Sequence, residues 1–168
     1  ICAMPKLRRI LLIATFTALI VLGASVNVQL GPVLFVLSDF FVLLSGLILG
    51  KRYAPISVGI YLLLGATGFP VFADGAGGIE HFAGSTGGYL IGFLLASYVV
   101  GAFSHVPPKS WPKDLAAVVT GFMTIYICGV IWLKFQAGLL WYDAISFGFL
   151  EFLIPMAIKS TSCVLLAQ

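Results

Sequence analysis

The sequence predicts an all-α integral membrane protein with six transmembrane helices, and three observations carry that prediction. Of its 168 residues, 61% are hydrophobic and only 9% charged, with a mean hydropathy of +1.13. A soluble domain carries roughly 25% charged residues, so this chain could not cover its own surface in water. The apolar segments are continuous rather than alternating at period two, which selects helices over a membrane barrel. At about 20 residues per crossing there is room for six helices in a single membrane domain spanning residues 1–168. Finally, the basic residues collect in alternate connections. With the N-terminus inside, Lys6, Arg8, Arg9, Lys51, Arg52, Lys109 and Lys113 are cytoplasmic, and only Lys134 falls in an outer connection.

The apolar spans read as 10–25, 33–50, 54–69, 86–104, 115–135 and 143–167. The first follows Lys6, Arg8 and Arg9 with no small-residue cleavage site or polar region behind it, so it is a retained helix and not a signal peptide. Gly31-Pro32 separates spans one and two, Lys51-Arg52 spans two and three, and a glycine-dense loop from Phe69 to Thr86 spans three and four. Pro107, Pro108 and Pro112 mark the next connection, because proline cannot continue a helical ladder. The last span contains Glu151, Pro155 and Lys159, which a lipid-facing helix would avoid. A break at Pro155 resolves this, with the proline in the first turn of the sixth helix and residues 139–153 forming a short helix or cap outside. From Pro155 to Gln168 the rise is only about 21 Å, so the expectation is that the last helix continues past the end of the chain.

Two apparent nucleotide motifs fail on inspection. Gly46-Leu-Ile-Leu-Gly50-Lys51 has one residue too few between its glycines for a P-loop, and Arg52 stands where Ser or Thr is needed. Gly75-Ala-Gly-Gly78 carries Glu80 at the third glycine position of a dinucleotide fingerprint, with no strand before it. Cys2, Cys128 and Cys163 lack ligand spacing and read as small apolar residues or free thiols. His81 has no His or Cys neighbour at metal spacing, so no metal or cofactor is expected. A net charge of +3, explained by loop placement, does not suggest nucleic acid. No residue pattern proposes a reaction.

A binding pocket remains. Irregular backbone at membrane depth persists where it is buried in protein or lines a cavity, which makes the glycine loop a ligand-holding element. The backbone N–H groups around Gly75, Gly77 and Gly78 can form an anion nest. Tyr61, Phe69, Phe72, Tyr89, Tyr126 and Trp132 can provide apolar walls with polar tips. Asp39, Asp74 or Glu151 can accept hydrogen bonds, with Asp39 equally suited to capping the second helix, and Lys159 can meet an oxygen. Glu151 and Lys159, eight residues apart, share a face if the helix is continuous, and a structural ion pair is the plainer reading of both. Small residues four apart (Ala14 and Ala18, Gly46 and Gly50, Gly88 and Gly92) suit close helix packing, and the first pair equally suits a partner protein.

These features resemble the BioY family, the biotin-binding S components of energy-coupling-factor (ECF) vitamin transporters. The resemblance rests on PheValLeuLeuSerGlyLeuIleLeuGly at 41–50, the run from Ser57 to Phe72, GlyAlaGlyGly at 75–78, GlySerThrGlyGlyTyrLeu at 84–90 and TyrXaaXaaGlyXaaXaaTrpLeu at 126–133. It implies an S-component bundle in a plasma membrane that captures biotin from outside at high affinity, with a transmembrane coupling protein and two ATPase subunits as partners. Ala14 and Ala18 match the AlaXaaXaaXaaAla motif expected to meet the coupling protein, and Lys159 matches a lysine expected near the ligand. Two departures stand out. Ser38 occupies a position where the family has Gln, and Met156 replaces an acidic residue three positions before Lys159, so Asp39 or Glu151 is the expected replacement acceptor. The alternatives are another vitamin or a biotin precursor as cargo, an intramembrane enzyme built on Asp39, Glu80 and His81, or a purely structural assembly subunit.

Overall fold

The computed structural model describes residues 5–30, 33–104, 110–138, 142, 145–146 and 153–167. Among them, helices α1 (Lys6–Ser25), α2 (Ser38–Ala66), α4 (Gly87–Ser104) and α5 (Trp111–Ala137) are long and apolar enough to cross a membrane. α6 (Leu153–Ala167) is a shorter apolar helix, and α3 (Glu80–Ala83) is a single turn within the glycine loop. Pro155 lies in the first turn of α6, where its missing N–H takes no helical bond away. The residues just before Leu153, Glu151 among them, and most of the cap expected over 139–153 lie outside the described residues.

α2 is two arms. Gly50 adopts φ 76° and ψ 176°, a conformation that ends a helix and that glycine reaches without a Cβ penalty. Asp39 and Tyr61, eleven residues to either side of it, line one cavity, so the chain doubles back here. Residues 38–49 and 51–66 are thus the second and third of six membrane segments, as the Lys51-Arg52 break predicts. The close turn is packed by Gly101 of α4, where a Cβ would run into the backbone of Gly50 and Lys51.

One element departs from the helical expectation. Asn27–Leu30 and Val33–Val36 form an antiparallel two-stranded hairpin, β1 and β2, with Asn27 opposite Val36 and Leu30 opposite Val33. A continuous apolar run does not distinguish a short buried strand from the start of a helix, so the run from Val33 reads as helix in the sequence. The hairpin is fixed to α1 by Leu37 N–H, which donates to the carbonyls of Gly23 and Val26 at 3.1 Å.

The bundle is centred on α4, which packs between α2 and α5. Small residues set those crossings, as expected where no hydrophobic drive operates between helices. Gly46 faces Val100, and Gly92 faces the Ile125 backbone, where a Cβ would lie 2.9 Å from Ile125 Cα. At the far end of α1, Arg9 Nη1 donates to Tyr53 Oη at 3.0 Å, tying the first helix to the second arm of α2.

Candidate ligand-binding site

The chain between α2 and α4 folds down onto the bundle because glycines let it. A Cβ on Gly65 would overlap the Phe72 ring, and one on Gly77 would overlap the Phe69 carbonyl. Phe72 is thereby driven inward, 4% exposed, edge-on to Tyr61 with ring centroids 5.6 Å apart. Phe82 and His81 pack on its other sides at 5.8 and 5.9 Å. Gly78 N–H donates to Gly65 O at 2.7 Å, and Trp132 Nε1 on α5 donates to Gly84 O at 2.9 Å, so both ends of the loop are tethered.

Beneath this loop lies a cavity of about 170 Å³, more than ten times the roughly 10–15 Å³ that one water occupies on the same measure. Its floor and walls come from Tyr61, Tyr89, Phe93, Ile125 and Tyr126. Asp74, Ala76, His81 and Thr86 border it from the loop, and Val36, Ser38 and Asp39 from the hairpin and the start of α2. Mostly apolar walls with a few polar groups are what a small, partly apolar ligand requires.

The strongest electrostatic feature is a pair between α2 and α6. Lys159 Nζ donates to Asp39 Oδ1 at 2.8 Å, to Oδ2 at 3.1 Å and to Val36 O at 2.8 Å. Asp39 also accepts from Phe40 N–H at 2.7 Å. It lies inside the first turn of α2, whose N-cap is Leu37 without a side-chain bond, and it lines the cavity. Asp39 is 6% exposed and Lys159 7%, so each charge is compensated away from water. Only Asp39 of the two lines the cavity; Lys159 stands behind it, against the end of β2.

Asp39, Tyr61, Phe72, Asp74 and Tyr89, all expected in the site, are brought to this cavity. Gly75, Gly77 and Gly78 are not among its lining residues. Their turn is also no open nest: the N–H groups of Gly75, Ala76 and Gly78 already donate to Phe72 O, Ala73 O and Gly65 O. The glycines act on the loop's shape. Phe69 is 57% exposed and Trp132 acts as a tether, so neither forms a wall. Asp74 holds φ 59°, a left-handed turn conformation that Asp tolerates better than most residues. Two lining groups carry more interest than sequence reasoning assigned them. Ser38 Oγ and His81 Nδ1 are buried with no hydrogen-bond partner among the described residues, and an unsatisfied buried polar group is costly unless a ligand or water meets it. For Ser38 the available signal was its place beside Asp39.

Fold and cavity define a membrane-embedded small-molecule-binding protein. Known proteins narrow this. Residues 3–168 match the BioY family. A biotin transporter BioY of Thermotoga maritima is 43% identical over 161 residues, covering 96% of this chain and 94% of its own. A probable biotin transporter BioY of Pyrococcus horikoshii is 37% identical over 163 residues, covering 97% and 96%. The crystal structure of the S-component for biotin from an ECF-type ABC transporter superposes with a TM-score of 0.91 at 28% identity, covering 98% of this chain and 93% of that one. The chain belongs to the BioY family.

Proposed function

We propose that this chain is the biotin-binding membrane subunit of an uptake transporter and captures biotin in the cavity beneath the glycine loop. The observation that carries this reading is the Asp39–Lys159 pair at the wall of an apolar cavity, within a chain that matches a biotin S-component over nearly its whole length. Biotin offers two ureido N–H donors, a carbonyl and an apolar sulfur ring. Asp39 accepts from the N–H groups, Ser38 supplies a hydroxyl beside it, and the aromatic walls enclose the ring. Lys159 holds Asp39 in place, and turns to the ureido oxygen when the cargo competes for its contacts. Met156, three positions before Lys159, packs against the core. The carboxylate that the family places there is supplied here from α2.

The N-terminus is cytoplasmic, so the loop faces outward and meets incoming cargo. A transmembrane coupling protein sits on the exposed face of α1, where Ala14 and Ala18 lie in a shallow apolar groove with Ile10, Val21, Ile56 and Ile60. Two ATPase subunits supply the energy, and the chain itself performs no chemistry. A second reading keeps the site and changes the cargo to a biotin precursor, favoured by Met156 in place of an acidic residue.

The test is calorimetric titration of the detergent-purified chain with biotin and, separately, desthiobiotin, alongside Lys159→Ala. Biotin binding in the nanomolar range, about −12 kcal/mol, with a loss on substitution, is expected. A folded protein that binds desthiobiotin far more tightly than biotin would move the reading to a precursor, and one that binds neither would end it.

A further inference from the structure

Biotin carries a carboxylate at the end of an apolar tail, and the cavity has no obvious countercharge for it. No lysine or arginine is among its lining residues that the structure describes. The basic side chain nearest the wall, Lys159, is already engaged by both oxygens of Asp39 and by Val36 O. Asp74, the other carboxylate among the described lining residues, has the wrong sign, as does Glu80 next to His81 in the same loop. One lining side chain among the described residues is of a basic type, and that is His81.

His81 is positioned for such a role. The turn from Gly78, held by His81 N–H to Gly78 O at 3.3 Å, and the tilted packing on Phe72 fix its ring on the loop side of the cavity. Its Nδ1 is buried and makes no hydrogen bond among the described residues. An imidazole always has at least one N–H to donate, and a hydrogen bond with one charged partner is shorter and stronger than a neutral one. Thr86, also on the lining and immediately before α4, makes no side-chain hydrogen bond among the described residues and offers a second donor. Asp39 and Ser38 enter the cavity from α2, His81 and Thr86 from the loop. The two sets thus approach from different elements, as a ligand with a polar head and a polar tail requires.

We propose that His81, with Thr86 beside it, receives the carboxylate end of the cargo and sets the preference for an acid tail over a neutral one. The proposal deepens the reading of the cargo as biotin and rests on it. Biotinamide, which keeps the ring system and replaces the carboxylate with an uncharged amide, is the discriminating probe.

The full chain in detergent, its His81→Ala variant and its His81→Asn variant are each titrated with biotin and with biotinamide. The wild-type protein binds biotin more tightly than the amide. His81→Ala weakens biotin about tenfold or more, the scale of a hydrogen bond to a charged group, and changes the amide by less than about threefold, so the preference collapses. Asn places an N–H near the position of Nδ1 and restores part of the preference. Equal loss of both ligands in His81→Ala makes His81 a residue of loop packing and overturns the proposal, as does no loss of either. Wild-type protein that binds biotin and its amide alike overturns this proposal alone. Wild-type protein that binds neither removes the cargo reading and this proposal with it.

Discussion

Cutting the Asp39–Lys159 pair from one side or from both separates its structural role from its role in binding. At 2.8 Å the gross attraction between unit charges is about 6 kcal/mol at an effective dielectric of 20, and desolvation of two groups, each less than a tenth exposed, offsets much of it. Asp39→Asn leaves a lysine buried without its counter-ion, and Lys159→Met leaves a buried carboxylate with one backbone N–H for company. Each single change is expected to destabilise by about 3–5 kcal/mol. Asp39→Asn/Lys159→Met removes both charges and keeps the volumes, so its cost falls short of the sum of the singles by about 2 kcal/mol or more, the upper range for residues in contact. Unfolding of the detergent-solubilised protein, followed by tryptophan fluorescence in a denaturant series, gives the four corners of the cycle. Biotin titration of the same four proteins gives a second set, in which the double variant recovers stability without recovering affinity. If the single costs simply add, the charges are not coupled and the geometry has been misread. If the double variant binds biotin as tightly as the wild type, the pair is a structural tie and the cargo is held by other groups.

Two further perturbations probe the loop and the partner face. Trp132→Phe removes the Nε1 hydrogen bond to Gly84 O while keeping an aromatic ring against Gly88. It is expected to cost about 1 kcal/mol of stability and to speed biotin release, read by stopped-flow displacement; unchanged release would mean the tether does not hold the loop closed. Ala14→Trp with Ala18→Trp fills the groove on α1 far from the cavity. It should leave biotin affinity within about twofold, well inside the effect of one hydrogen bond, and abolish co-purification with a coupling protein. Retained co-purification would move the partner surface off this face.

Much of the fold is legible in the sequence because membrane segments must satisfy their backbone internally and present apolar sides outward. Continuous apolar runs, the Lys51-Arg52 break and Pro155 therefore locate the helices within a few residues. Gly50 is legible in a different sense from the one expected. Its spacing from Gly46 suggests a packing pair, and Gly46 does pack, but Gly50 is where the chain reverses. The hairpin at Asn27–Val36 is hidden because its second strand runs into α2 with no polar residue between them until Ser38. The site divides along the same line. Asp39, Tyr61, Phe72, Asp74 and Tyr89 stand out as polar or aromatic groups in apolar surroundings. The pairing of Asp39 with Lys159 does not, because the two lie 120 residues apart in the chain while helical periodicity offers Lys159 only neighbours such as Glu151.

The glycine loop illustrates how a correct emphasis can rest on an incomplete reason. Glycines near a site suggest backbone donors aimed at a ligand, yet the N–H groups of Gly75 and Gly78 are consumed by Phe72 O in the loop and Gly65 O at the end of α2. What the missing side chains provide is room. Phe72 reaches the bundle only because Gly65 has no Cβ, and α4 approaches Trp132 only because Gly87 and Gly88 have none. The loop thus converts glycine into an aromatic roof, and the polar side chains that line the cavity include Ser38 and Asp39 on α2, His81 on α3 and Thr86 just before α4. Substituting a loop glycine would move Phe72 and with it the roof of the cavity, lowering affinity for any cargo alike. Substituting His81 or Asp39 would instead change which cargo is preferred, and this difference in selectivity separates a residue that shapes the cavity from one that reads its contents.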